Sequence, residues 1–446
     1  MGRRSHSRSL SLWTNGVRVG RWTLPARGEM ELHYDPDWVA ADIGRPLSLS
    51  LPFNLQNLPI KGEKVANYFD NLLPDSDAIR RRVAERFRTG SIDPFELLRV
   101  IGRDCIGAVQ ILDGEEVPKG FDHVEGVPLS EEDIERHLIE TVSPHAFGAS
   151  GDPDADFHIS LAGAQEKTAF LWWDGQWLAP RGATPTSHIF KLPLGLMGGR
   201  RADFSTSVDN EWLCLRLLKA YGLNVADARI ATFGRQRVLV VERFDRRTAP
   251  DGQWLMRLPQ EDFCQVEGCS PLRKYENEGG PGLKALFATL RQSVNAEADM
   301  KTLMTAQVLF WLLRAPDGHA KNFSIHLLPR GRFHLTRLYD VMSAYPVLGE
   351  GPNQWSPHDI RSAMALLGKN RHYDMHGIQR RHFNSTARKV GYGSTAEPII
   401  EELLARTPAA IAEVQADLPK DFSPRVAESI LGGLQQAATA LGAMLP

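Results

Sequence analysis

The sequence predicts an α/β plus all-α architecture, in which a mixed first half meets a mostly helical second half. Three observations carry this. Short β-like runs separated by turns extend to about Arg243, helical periodicity dominates from Gly282 onward, and one strand–turn–strand interruption lies inside the helical part.

Taken in order, Leu10 to Trp13 and Ala108 to Leu112 read as strands and Ala78 to Phe87 as a helix, a small α/β unit. The acidic, Gly- and Pro-dotted stretch from Asp113 to Leu129 has the composition of a connection, and a boundary falls near residue 125. Between Phe157 and Arg243, Thr168 to Trp173 and Gln176 to Ala179 flank Asp174-Gly175, a strong two-residue hairpin signal. His188 to Leu192 and Val238 to Val241 add strands. The helix from Asn210 to Tyr221 stops at Gly222, so a small sheet with one helix is expected. Leu283 to Leu290, Ala298 to Leu313 and Ile399 to Val414 are helical, and Phe323 to Leu328, Pro329-Arg-Gly-Arg and Phe333 to Tyr339 form the interruption.

A chain of 446 residues predicts two or three compact units with ample core. With 42% hydrophobic and 24% charged residues it has ordinary globular composition. Neither a secretory leader nor a run of about 18 apolar residues is present, so a cytoplasmic protein without a membrane span is expected. Cys105, Cys214, Cys264 and Cys269 are too irregularly spaced for a disulfide framework or common zinc site and read as buried or half-buried thiols. The net charge of -2 hides a basic stretch: from Asp359 to Lys389, seven Arg or Lys face two Asp, a segment suited to phosphates.

The most informative residues are Asp317-Gly-His-Ala-Lys-Asn322, directly after an apolar helix. An Asp followed five residues later by an Asn repeats the spacing of the protein-kinase catalytic loop, where the Asp accepts the substrate hydroxyl proton and the Asn holds magnesium. A turn at a helix end is the plain alternative. A strand–turn–strand then leads to Asp340, placed just past a strand. Two carboxylates and an amide suit a magnesium ion that keeps waters and phosphates as its other ligands.

Ser160 to Thr168 is a loop of small residues able to approach phosphates, or an ordinary hairpin loop; with one glycine it matches no phosphate-loop pattern. Lys191 lies on an apolar strand and suits a phosphate or carboxylate partner, the alternative being a lysine that snorkels from an edge. Glu211 is its candidate partner, although the sequence favours a first-turn acid placed by the helix dipole. Val238 to Phe244 is a strand running into a charged turn.

Together these stretches resemble the HipA family, the kinase toxins of bacterial toxin–antitoxin pairs. The resemblance is carried by S-L-A-G-A-Q-E-K-T at Ser160 to Thr168, H-I-F-K-L-P around Lys191, V-E-R-F-D-R at Val241 to Arg246, R-L-P-Q-E-D-F-C-Q at Arg257 to Gln265, D-G-H-A-K-N-F-S at Asp317 to Ser324 and L-Y-D-V at Leu338 to Val341. R-P-L-S-L-S-L-P at Arg45 to Pro52 and N-Y-F-D-N-L-L-P-D-S at Asn67 to Ser76 extend it into the amino-terminal unit.

The resemblance implies a kinase-like two-lobed fold: an amino-terminal subdomain over residues 1–125, an N-lobe with the phosphate loop over 126–255 and a helical C-lobe over 256–446. It implies a serine/threonine-protein kinase using ATP and Mg²⁺, with Asp317 as base, Asn322 and Asp340 holding the metal, and Lys191 on the phosphates. Ala162, Gly163, Ala164, Gln165, Glu166 and Lys167 form the phosphate loop, and Glu242, Arg243 and Phe244 the adenine-side hinge. His319, Ala320, Lys321, Asn322, Tyr339 and Asp340 line the nucleotide site, and Ser160 matches the self-phosphorylated serine. Implied partners are a helix-turn-helix antitoxin (HipB-like), operator DNA contacted near Arg388 and Lys389, and a protein substrate such as glutamyl-tRNA synthetase or another aminoacyl-tRNA synthetase. Gly391 stands where a further basic contact is expected. An antitoxin-bound corepressor and a small-molecule phosphotransferase are the other readings.

Overall fold

The computed structural model describes residues 7–142, 160–163, 165–197 and 202–446. Its first unit contains β1 (Arg8–Thr14), β2 (Val17–Leu24), β3 (Glu31–Tyr34), α1 (Pro36–Ala40), β4 (Ile60–Lys61), α2 (Glu63–Asp70), α3 (Asp77–Phe87), α4 (Pro94–Ile101) and β5 (Gln110–Asp113). The strands form one antiparallel sheet in the order β4-β3-β2-β1-β5. Leu10 and Leu12 point to the same face two residues apart and are fully buried. There Trp22 stacks on Phe69 at 3.8 Å between ring centroids, and Phe95 of α4 packs at 4.9 Å. Pro94 opens α4, where its missing N–H is one the helix would not have paired.

The second unit holds β6 (Gly126–Pro128), α5 (Glu131–Val142), β7 (Lys167–Trp173), β8 (Gln176–Pro180), β9 (His188–Lys191), β10 (Leu196–Met197), β11 (Ala202–Asp203), α6 (Ser207–Ala220), β12 (Ala228–Phe233) and β13 (Gln236–Glu242). Its main sheet runs β12-β13-β9-β7-β8-β6. Asp174 and Gly175 adopt φ of 47° and 77°, the two left-handed positions that a tight hairpin requires. The sheet carries two helices where one was expected. Val238 and Val240 of β13 pack with Ile134 and Leu138 of α5, whereas Leu239 and Val241 join the core around α6. Strand alternation thus divides β13 between two cores.

The remainder comprises β14 (Arg246–Thr248), β15 (Leu255–Arg257), β16 (Gln260–Asp262), α7 (Phe263–Glu267), α8 (Leu283–Leu290), α9 (Ala296–Leu312), β17 (Ser324–Leu327), β18 (Phe333–Leu335), β19 (Arg361–Leu367), β20 (Arg371–Asp374), α10 (Arg380–Lys389), α11 (Glu397–Ala416) and α12 (Pro424–Ala443). From Leu303 to Leu312 every residue of α9 is buried, which is why this stretch is apolar but for Thr305 and Gln307. Two expectations change here. The second strand of the interruption ends at Leu335, not Tyr339, because β18 pairs with β17 only as far as Ile325 opposite Leu335. The second half also contains the β19–β20 hairpin, within the stretch read only as basic. Among the described residues no helix is long and apolar enough to cross a membrane.

A buried ionic cluster joins these parts. Asp104, from the loop after α4, accepts from Arg246 at 2.8 Å, Arg243 at 3.1 Å and the Thr186 hydroxyl at 2.7 Å, and lies 3.3 Å from Arg257. Asp245 supplies the second carboxylate, 2.8 Å from Arg243 and 2.9 Å from Arg246. Burial pushes the Asp104 carboxyl up, but the three guanidinium groups outweigh it and hold it well below the usual range.

Candidate active site

The apolar helix α9 ends after Leu312, and Arg314, at φ 48°, breaks its direction so that the next residues face a cleft. Gly318 is required here: a Cβ would lie 2.5 Å from the Phe310 ring. The Asn322 amide donates to the Asp317 carbonyl at 2.7 Å and is 3.4 Å from that of Asp340, so one side chain spans both segments. The Asp317 carboxylate is half exposed and accepts from the Tyr275 hydroxyl at 2.6 Å. The Ala363 N–H donates to Pro316, and the Ala365 N–H to Glu276 at 2.7 Å, so the unforeseen hairpin braces both the Asp317 turn and the Tyr275 turn.

Asp340 sits five residues past β18 with φ 59°, a left-handed conformation that a strand end would not supply. Its Oδ1 accepts from Lys191 Nζ at 2.9 Å, and the same ammonium donates to Glu211 at 2.6 Å. Glu211 is therefore the partner of Lys191 and not a solvent-facing first-turn acid; it is 2% exposed. Lys191 is buried and does not snorkel. Burial opposes charge on both sides of this triad. At Lys191 the two carboxylates outweigh it and hold the ammonium above its usual value, and at Asp340 the ammonium groups of Lys191 and Lys167 hold the carboxyl well below.

The loop after Ser160 is wedged against the first unit. Ser160 is fully buried, its hydroxyl donating to Leu72 O at 2.7 Å and its N–H to Asp104 O at 3.1 Å. The Asp75 N–H donates to Gly163 O at 3.1 Å, Arg82 pairs with Glu166, and Gln165 donates to Leu192 O at 2.6 Å. Gly163 adopts φ 107°, and a Cβ there would lie 2.6 Å from Lys167 Nζ. Lys167 donates to Ala162 O at 2.6 Å, and desolvation together with the Lys191 charge lowers its ammonium to about 8. Ala164 lies outside the described residues.

Of the hinge residues, Glu242 and Arg243 already donate their N–H groups to Asp227 O and Ser187 O, and the Arg243 side chain belongs to the ionic cluster. Phe244 packs near Tyr339, 5.7 Å between centroids. Lys321 turns from the cleft's centre to Asp262 Oδ2 and Asn71 Oδ1, each at 2.9 Å, and Tyr339 donates to Lys321 O at 2.8 Å. His319 is buried, which lowers its pKa, and meets Tyr275 edge-on at 5.1 Å. Ala162, Gly163, Gln165, Lys167, Lys191, Glu242, Arg243, Phe244, Asp317, His319, Lys321, Asn322, Tyr339 and Asp340 all line one cleft of about 740 Å³.

Arg388 and Lys389 lie elsewhere, exposed at the end of α10; Arg388 donates to Ser394 O and Lys389 contacts Gly368 O. Part of their basic stretch is neutralised, since Arg380 is buried against Glu397 and Glu401. Sequence reasoning missed Tyr275 and the pair of Lys274 with Asp75 at 2.8 Å. The only signal for Asp75 was its place in the Asn67 to Ser76 motif.

Comparison with known proteins decides the relationship. Residues 159–411 match the HipA-like C-terminal domain, and residues 10–112 match the HipA N-terminal domain. The chain belongs to the HipA family. It is 34% identical over 348 residues to Y4mE of Sinorhizobium fredii, covering 76% of this chain and 79% of that one. Over 433 residues it is 29% identical to the serine/threonine-protein kinase toxin HipA of Shewanella oneidensis, covering 92% and 90%. The solved structure of Shewanella oneidensis HipA with HipB and operator DNA superposes with a TM-score of 0.77 at 24% identity, over 97% of each chain. The fold is thus that of HipA, kinase-like with α/β and helical parts, and the expected architecture holds. Kinase chemistry is the activity of this family.

Proposed function

We propose that this chain is an ATP-dependent serine/threonine-protein kinase toxin whose Asp317 accepts the proton of the acceptor hydroxyl. The observation that carries the reading is the Lys191 ammonium shared by Glu211 and Asp340, because a strand lysine paired with a helix glutamate and set beside a metal-binding Asp is the arrangement kinases need for transfer. Asp340, kept ionised, and the Asn322 amide fit a hard ion such as Mg²⁺, which takes few protein oxygens and keeps phosphates and waters. When bound, that ion would neutralise charge on the phosphates. Lys167 and Lys191 would hold phosphate oxygens, and the 160–167 loop would cover them. With two N–H groups of the hinge already used, adenine would be met at Phe244 beside Tyr339. Incubation with labelled ATP, Mg²⁺ and a cytosolic extract should mark one or a few proteins on serine or threonine, an aminoacyl-tRNA synthetase such as glutamyl-tRNA synthetase among them. No labelled protein would refute the reading.

The Lys167 ammonium supplies a pH test. Phosphate binding favours its charged form, so Mg-ATP binding should take up protons near pH 8, and affinity should fall as pH rises above that value. Calorimetry in buffers of different ionisation enthalpy reads the uptake directly; equal heats in all buffers at pH 8 would remove Lys167 from the phosphate site.

Self-phosphorylation at Ser160 would be the off-switch. Its hydroxyl is buried against Leu72, so the loop must leave this position to reach any base. A phosphate there brings a charge of about -1.5 to -2. The returning loop could not be buried again, and ATP affinity should fall with activity. Mass spectrometry after incubation with Mg-ATP should find phosphate on Ser160 in wild type and none in Asp317→Asn; phosphate in both or in neither would sink the proposal.

A HipB-like antitoxin and operator DNA are the proposed partners, supported by the assembly in which the Shewanella oneidensis protein was solved. Charge reversal at Arg388 and Lys389 should weaken antitoxin-dependent DNA association and reduce the logarithmic salt slope by roughly one unit per lost phosphate contact. An unchanged slope in a salt titration would show this face to be merely solvated.

A further inference from the structure

The cleft extends past the groups that a nucleotide would use. Strand register fixes its direction, since Glu242 pairs with His188 and Leu239 with Lys191. Travel from the hinge to Lys191 and on to Leu194 therefore leads away from the adenine end. Beyond Lys191 and Asp340 the lining gathers an apolar group, Leu194, Met197, Phe204, Met342, Trp355 and Ile360, with Ser356, Asp359 and Arg361 as its polar edge. Leu194, Met197, Met342 and Trp355 are half buried, Leu194, Met197 and Trp355 resting against the main core, and together they line one end of the cleft. Grouped exposed apolar surface marks a binding face, whereas scattered single residues need no explanation.

This wall is held in place by several contacts. Trp355 meets Phe204 edge-on with centroids 5.2 Å apart. Its N–H donates to Val347 O at 2.8 Å, its carbonyl accepts from Gly349 at 2.9 Å, and the Asp203 N–H donates to Asn353 O at 3.1 Å. The segment following Asp340 and the paired strands β10 and β11 thus form one surface. A triphosphate and its metal are polar and would be satisfied at Lys191, Asp340 and Asn322, so neither has use for an apolar wall. The acceptor is the reactant still to be placed: its hydroxyl must come within hydrogen-bond reach of Asp317, which lines the same cleft.

We propose that this wall is an acceptor subsite, taking an apolar side chain of the protein substrate next to the serine or threonine that is phosphorylated; the inference rests on the kinase reading. Full-length wild type, Trp355→Ala and Trp355→Phe would be given Mg-ATP with a positional peptide library around one central serine, and separately with a cytosolic extract whose phosphorylated sites are mapped. Leu, Ile, Met or Phe should be enriched at one fixed position beside the phosphorylated residue. Trp355→Ala should lower kcat/KM for such acceptors about 10-fold and erase the enrichment, because a lost apolar contact in a pocket discriminates by that order. Trp355→Phe should restore both, with ATP affinity and melting temperature held in all three. If Trp355→Ala does not fold, Met342→Ala carries the same measurements. Flanks no more apolar than the serine and threonine background, or an enrichment untouched by these variants, would overturn the subsite and leave the kinase reading standing. No phosphorylated acceptor in either mixture would overturn the kinase reading and the subsite with it.

Discussion

Asp317→Asn is expected to cost about 10²–10⁴-fold in phosphoryl transfer, the usual worth of a general base, while Mg-ATP still binds. The substitution keeps the shape and the acceptor that Tyr275 uses, so the loop should stay in place, and only basicity is removed. Asp340→Asn should behave differently. It takes a charge from the triad with Lys191 and from the proposed metal position, so Mg-ATP affinity and turnover should fall together. Single-turnover transfer and equilibrium nucleotide binding, measured on both variants, separate the roles. If transfer survived both substitutions, Asp317 would not be the base, and the kinase reading would lose its chemistry.

Asp104→Ala should be the most destabilising single change outside the cleft. It leaves the guanidinium groups of Arg243, Arg246 and Arg257 buried with Asp245 as their main remaining counter-charge. Removing one partner from a buried ionic group costs about 3–5 kcal/mol, a large part of a typical folding free energy. The sign with pH follows from the depressed carboxyl. The stabilisation is full above the unfolded carboxyl value of about 4 and is lost as pH falls through the lower folded value, so wild type should lose more stability on acidification than the variant. Urea titrations at neutral and acidic pH would show this, and a neutral-pH loss under about 1 kcal/mol would mean that the cluster tolerates a missing charge. Because Arg243 belongs to the proposed adenine-side hinge, nucleotide affinity should drop as well.

Local pattern made much of this protein legible. Asp174-Gly175 specified its hairpin because two positive φ angles can be read from two residue types. The burial of Leu303 to Leu312 followed from a run that is apolar except for Thr305 and Gln307. Asp317 and Asn322 are close in sequence, so their coupling needed only a tight turn. Helix α5 was missed because E-E-D-I-E-R-H-L-I-E-T-V buries only Ile134 and Leu138, too few apolar positions to stand out from a charged connection.

What the sequence by itself determined was therefore the α/β-then-helical architecture, the family, and the segments that bear charge and amide groups beside apolar strands and helices. Tertiary structure alone decided which of those groups meet. Glu211 looked like a helix-start acid, and only the packing of α6 against β13, with Lys191 on the adjoining β9, turned it into a buried partner. Tyr275 lies 42 residues before Asp317, and Asp104 lies 139 before Arg243, separations across which no periodicity carries information. The physical reason is that amphipathic period records which side of an element is buried, whereas the partner of a buried charge depends on how separate elements dock, and that is settled by the whole core at once.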